Sequence, residues 1–215
     1  NLTGAAPLPV QAENLHFAMD FQGERFSDFD ELLDVDLPPI GPYRLGGKFG
    51  SRPSGYYVEE LQVVIGESTL DGKLDFKTAE RPPRLDIALV AKHIQLDDFD
   101  TGDWSATGEN TEVTEETQAA EIAESEQQSP KRDRSLLSPA VMRSLDAKAT
   151  VEVEEVLSGQ DHLGKGTLTA MLENGRFTVD PLTLEVPGGS VDVDFVLEPS
   201  ENDVALEARA QVEKL

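Results

Sequence analysis

Three histidines, His16, His93 and His162, are the residues of this chain best suited to moving a proton near neutral pH. They lie far apart in sequence, and none has a partner at metal-ligand spacing. His93 falls in a strand-like run, where it reads as a solvent-face residue rather than a base. The run Asp97-Asp98-Phe99-Asp100-Thr101-Gly102-Asp103 has the oxygen density of a calcium loop. It departs from the EF-hand pattern, which needs an acid at the twelfth loop position, and counted from Asp97 that position is Gly108, so it reads as a solvated strand end. Asp192 and Asp194 alternate with Val191, Val193 and Phe195 and mark the wet side of a strand. Asp71-Gly72 and Gly188-Gly189 read as hairpin geometry. There is no cysteine, which removes disulfides, thiolate metal sites and cysteine nucleophiles. No Gly-x-Ser-x-Gly, Walker loop or His-Glu-x-x-His occurs either. The residues point away from an enzyme and require no cofactor and no metal.

What remains is apolar patterning that must be positioned by strands. Leu61, Val63 and Ile65 alternate with polar or small neighbours, as do Leu70, Leu74 and Phe76, then Leu85, Ile87 and Leu89. The same period recurs in Phe177 and Val179, in Leu182, Leu184 and Val186, and in Val191, Val193, Phe195 and Leu197. Leu15, Phe17, Met19 and Phe21 form a further run. Period two gives each strand one apolar and one wet face. Turn signals separate the runs at Gly66-Glu67-Ser68, Pro82-Pro83, Asn174-Gly175, Pro187-Gly188-Gly189 and Pro199-Ser200. Short links imply antiparallel pairing. Two short helices are predicted. One covers 28–34, capped at Ser27, with Phe29, Leu32 and Leu33 on a shared face; the other covers 139–145, capped at Ser138, with Val141, Met142 and Leu145 buried.

A shift of 121 residues superposes the strand pattern without a gap: Leu61, Val63 and Ile65 fall on Leu182, Leu184 and Val186, and Leu85 falls on Leu206. The chain therefore reads as two tandem repeats, 1–99 and 136–215, around an insertion at 100–135. The insertion holds ten acids, three bases and almost no large apolar residue, a composition that cannot offset its ordering entropy and predicts disorder. It supplies seven of the chain's 24 net negative charges, so seventeen belong to the folded parts. Such acidity excludes nucleic acid and attraction to an anionic membrane surface. With only two short helices to cover the apolar faces, the sheet must close into a barrel or sandwich, dimerise, or remain an open trough that meets an apolar ligand.

The motifs Gly41-Pro42-Tyr43, Gly66-Glu67-Ser68-Thr69-Leu70-Asp71-Gly72, Arg81-Pro82-Pro83-Arg84-Leu85 and Leu96-Asp97-Asp98-Phe99 resemble the AsmA-like family of bacterial envelope proteins. The second half is similar in Leu145-Asp146-Ala147 and Gly188-Gly189-Ser190, although Gly189 rather than Ser190 occupies the place of Ser68. The resemblance implies a mainly β fold, a curved antiparallel sheet forming a β-groove. It implies a periplasmic section whose parent is anchored in the Gram-negative inner membrane by a segment absent here. The implied function is phospholipid transport toward the outer membrane, with acyl chains shielded by the groove. The lipid-contact residues would be Leu61, Val63, Ile65, Leu70, Leu74, Phe76, Leu85, Ile87, Leu182, Leu184, Val186, Val191, Val193, Phe195 and Leu197. Envelope proteins are further partners in this reading. The alternative is a protein-binding scaffold that assists outer-membrane protein assembly, with a free sheet edge accepting a partner strand.

Overall fold

The computed structural model describes residues 3–5, 15–102, 135–199 and 204–214. They form one mainly β unit whose strands follow each other across a single sheet in chain order. The strands are β1 (Thr3–Ala5), β2 (His16–Gly23), β3 (Tyr43–Arg52), β4 (Gly55–Ile65), β5 (Ser68–Lys77), β6 (Arg84–Gln95), β7 (Asp146–Ser158), β8 (Asp161–Glu173), β9 (Arg176–Val186), β10 (Gly189–Pro199) and β11 (Val204–Lys214). The sheet stays open, because its edge strands β1 and β11 do not pair with each other. No second sheet or helical layer lies over it among the described residues. Of the three ways to treat its apolar face, intramolecular closure is therefore not the one taken.

The repeat is visible in the hydrogen-bond register. In the first unit Leu61 pairs Gly72 and Val58 pairs Leu74, so Glu59 and Glu60 bulge out of β4. In the second, Leu182 pairs Val193 and Val179 pairs Phe195, so Asp180 and Pro181 bulge out of β9. These positions differ by the same 121 residues throughout. A bulge inserts one residue without flipping the strand, which keeps Val58 and Leu61 on one face. At the first bulge Glu60 takes φ 49° and its carboxylate meets Lys48 Nζ at 2.5 Å.

One pairing departs from the all-antiparallel expectation: β6 and β7 run parallel, Leu85 beside Ala147 through Ala91 beside Val153. The reason is arithmetic. Each repeat contributes five strands, β2–β6 and β7–β11, and an antiparallel run of five starts and ends in the same direction. Equivalent strands of two such units can point the same way only if the units meet through a parallel pair. A parallel pair needs a long crossover, and residues 96–145 supply it. Of the predicted acidic insertion, 103–134 lie outside the described residues.

The helical pieces are shorter than predicted. A 3₁₀ turn at Phe26–Phe29 runs into α1 (Asp30–Leu33), with Arg25 rather than Ser27 at the cap. Phe26 stacks on Tyr43 at 4.5 Å and Phe29 reaches the same ring, but Leu32 is 77 % exposed and does not share their half-buried face. The left-handed Asp34 ends the helix after one turn, which leaves too few residues to bury an extended stripe. α2 (Pro139–Met142) is capped as expected: Ser138 Oγ accepts from the Val141 amide at 3.3 Å, and Met142 is buried. It stops before Leu145, which is half-buried outside the helix.

Candidate apolar binding face

All fifteen residues proposed from sequence fall on one side of the sheet. The register shows this directly, since side chains directly opposite each other across a ladder share a face. One row runs Phe21, Leu45, Val63, Leu70, Ala91, Val153, Gly166, Leu184, Val191 and Val212, spanning β2 to β11. A second runs Phe17, Phe49, Val58, Leu74, Ile87, Ala149, Ala170, Val179, Phe195 and Ala208. A third carries Phe76 beside Leu85 and, in the other unit, Phe177 beside Leu197 beside Leu206. No charged residue occurs in any of these rows. The expected lipid contacts leave out β3, β7 and β8, although Val151 and Val153, and Leu168 and Leu172, alternate in the sequence as the other runs do; these strands contribute Phe49, Ala149, Val151 and Leu168 to the surface.

Burial along the face is graded. In the middle of the sheet Leu70 and Ala91 are each 5 % exposed, packed with Ile94, Val153 and Val156, and Val63, Leu89, Phe99 and Leu184 lean on them. Toward β2 the exposure rises to 43 % at Phe21, and toward β11 to 62 % at Leu206 and 73 % at Val212. Isolated exposed apolar residues are ordinary, but contiguous rows crossing ten strands are not.

The opposite face is wet and ion-paired. Arg44 donates to Asp20, Lys77 and Arg84 both donate to Asp86, at 2.7 and 3.0 Å, Arg52 pairs with Asp75, and Arg176 meets Glu198 at 2.9 Å. The hydrogen bond from Arg44 holds the Asp20 carboxyl below its ordinary range. Burial pushes Asp86 upward, but the two hydrogen bonds from Lys77 and Arg84 outweigh it and lower the group. Burial raises the Tyr43 phenol. Hollows of the molecule lie on this side, over Gly46 and Ala88, and are lined by charged groups such as Asp20, Lys48, Asp71 and Lys73. Gly72 serves close approach rather than a hairpin: it lies within β5, and a Cβ there would sit 2.0 Å from the Ala88 carbonyl oxygen.

The candidate polar chemistry resolves into structure. His93 is exposed on β6; His16 Nδ1 lies 3.3 Å from Tyr57 Oη, and His162 Nδ1 lies 2.7 Å from Glu155 Oε1. The acids after β6 are not simply solvated. Asp98 Oδ2 accepts from the Glu67 amide at 3.0 Å, the Ser68 amide at 2.9 Å and Ser68 Oγ at 2.6 Å, while Ser68 Oγ accepts from the Gln95 amide at 2.9 Å. Ser68 is wholly buried, and Gly66, at φ 54°, has no room for a side chain because Asp98 fills that space. Two motifs thirty residues apart thus form one clamp on the β4–β5 turn. Asp100 is used by the Gly102 amide at 2.9 Å. Among the described residues no group of three or more potential ligands is placed to hold a metal ion. Among them too, no helix is long and apolar enough to cross a membrane.

No protein-family model matches the chain, and no curated protein or solved structure matches it.

Proposed function

We propose that the chain is a lipid-shielding section of an AsmA-like protein of the bacterial envelope, working in the periplasm, with phospholipid acyl chains laid along the apolar face. The observation that carries this reading is the unbroken set of uncharged rows from β2 to β11, increasingly exposed toward both ends of a sheet over which no second layer lies among the described residues. Sheltering hydrocarbon on such a face gains about 0.8 kcal/mol per methylene removed from water, so a partly covered acyl chain gains several. Aliphatic side chains suffice for that, because the interaction is non-directional. The acidic, ion-paired opposite face keeps the sheet in water and repels anionic head groups, which leaves the tails as the part held.

Purification without detergent followed by native mass spectrometry tests the proposal. Bound phospholipid is expected, and Leu182→Asp should deplete it while leaving the β circular-dichroism signal in place. A photo-reactive residue at Leu182 should label phospholipid from added vesicles, and one at Val90, exposed on the opposite face, should not. Absence of lipid together with equal labelling from both positions would sink the reading. Capture of an extended peptide at Leu182 instead would favour the protein scaffold.

A further inference from the structure

We propose that a hollow on the wet face, over Ala88 between β5 and β7, is a binding site for the phosphate group of a small soluble molecule. The hollow measures about 830 Å³, and its lining includes Tyr57 of β4, Lys73 of β5, Ala88 of β6, and Lys148 and Thr150 of β7. The register sets these groups together. Lys73 stands opposite Ala88 and Ala88 opposite Thr150, while Lys148, two residues before Thr150, stands opposite Asp86. The site lies on the side of the sheet away from the apolar rows, so the inference is independent of any lipid.

The donors of the hollow are unused. The chain has 42 acids for 18 bases, so a basic side chain meets a carboxylate easily. Arg44, Lys48, Arg52, Lys77, Arg84 and Arg176 each pair with one. Lys73 and Lys148 pair with none among the described residues, and the Thr150 hydroxyl has no hydrogen-bond partner among them. The register gives the reason. Lys148 faces Asp86, but both oxygens of that carboxylate are engaged, Oδ2 by Lys77 and Oδ1 by Arg84. Lys73 lies across from the β4 bulge, whose Glu60 is held by Lys48. Two ammonium groups and a hydroxyl thus line one hollow without an acceptor of their own.

Strand spacing puts the Cα atoms of Lys73 and Lys148 about 12 Å apart, two strands across and two residues along. Two flexible four-carbon stems reach toward each other over that gap. The Ala88 methyl beneath leaves the space open. A phosphate suits these donors better than a carboxylate, because it carries about −1.5 to −2 charges near neutral pH and three acceptor oxygens. The local field agrees. Arg52, Lys73, Lys77, Arg84 and Lys148, set against Glu59, Asp75 and Asp86, leave two positive charges here in a chain of −24. Asp75 and Asp86 are offset by Arg52, Lys77 and Arg84. Glu59 is the lining carboxylate with no cation on it, and it opposes an anion. Lys92 and Lys165 also lack partners, but they flank Glu154 and Glu155 of β7, where the field is negative.

Titration of the full chain with inorganic phosphate at low ionic strength, followed by amide NMR, tests the proposal. Saturable shifts are expected at Ala88 and Thr150, and none at Thr167 and Thr183 on the wet face of the second unit. Lys73→Gln and Lys148→Gln should each weaken binding roughly three- to tenfold, the loss of one charge-assisted hydrogen bond at an exposed group. Both lysines are exposed, so circular dichroism should not change. Lys92→Gln should bind as the parent chain does. Glu59→Gln should tighten binding, which a purely structural role for the lysines would not produce. Vesicles of phosphatidylcholine with phosphatidic acid should stay unbound, because the net charge is repelled by an anionic surface. Binding to these vesicles in preference to inorganic phosphate would assign the hollow to a lipid head group and overturn the inference. So would the absence of saturable shifts, or an equal loss in Lys92→Gln, which would mean diffuse attraction rather than a site.

Discussion

The two repeats share register and bulge, yet Leu61 is 7 % exposed and its equivalent Leu182 is 38 % exposed. Ile65 is buried where Val186 is half-buried. The difference does not come from the strands themselves. The first unit has a full neighbouring unit beyond β6, and its β4–β5 turn is clamped by Asp98. The second ends in a strand that pairs only with β10 among the described residues, and Gly189 stands where the clamp serine would be. In a single-layer sheet, burial is a property of position in the array: each unit is completed by the next one, as in repeat proteins generally.

The sharpest way to break this comparison is to truncate both leucines. Leu61→Ala should cost ~2–5 kcal/mol, the range for a buried leucine leaving a cavity. Leu182→Ala should cost about 1 kcal/mol, since much of its side chain is already in water. Urea denaturation of the two variants measures this. Equal costs would show that the second unit is packed as tightly as the first and that the graded exposure has no energetic meaning.

The clamp gives a smaller, more local effect. Ser68→Ala removes the acceptor of the half-buried Gln95 amide and one donor to Asp98. Leaving a buried donor unsatisfied costs roughly 1–3 kcal/mol. Amide exchange should speed up first at Glu67, Ser68 and Gln95, with β9 and β10 unaffected. Uniform loss of protection across both repeats would mean that the turn is no separate element.

Much of this was legible beforehand because of period two. β4, β5, β9 and β10 announce themselves through alternation, and the phase jumps from Val58 to Leu61 and from Val179 to Leu182 are the bulges written in sequence. The apolar face followed from the same signal. β3 was hidden because Gly46, Gly47 and Gly50 replace the side chains that would carry the alternation. The parallel joint was hidden because pairing of Leu85 with Ala147 leaves no local mark; only the odd number of strands per unit demands it. The Ser68–Asp98 clamp joins residues thirty positions apart, and an acid in a 3₁₀ turn looks the same whether it faces water or a hairpin. Leu32 was misplaced because a helix expected to span 28–34 is reduced to a 3₁₀ turn and one α turn.

The smallest effect concerns charge, at another pair of equivalent positions. Asp86 is held between Lys77 and Arg84 on the wet face, and its counterpart Glu207 is exposed on the edge strand. The folded-state affinity of Asp86 for its proton is lowered: burial opposes ionisation, but the hydrogen bonds from Lys77 and Arg84 prevail. A depressed carboxylate contributes stability above its unfolded value, near pH 4, and loses that contribution as the pH falls through the folded value below it. Asp86→Asn should therefore flatten the fall in melting temperature between about pH 5 and pH 2, because the variant has no proton to take up at that site. Glu207→Gln should leave the profile unchanged in a monomeric sample, since Glu207 is exposed on the edge strand. The expected difference is a few degrees at most, as for other partly exposed ion pairs. If instead Glu207→Gln alters the profile as much as Asp86→Asn does, Glu207 has acquired a neighbour in solution, and β11 is then not a bare edge.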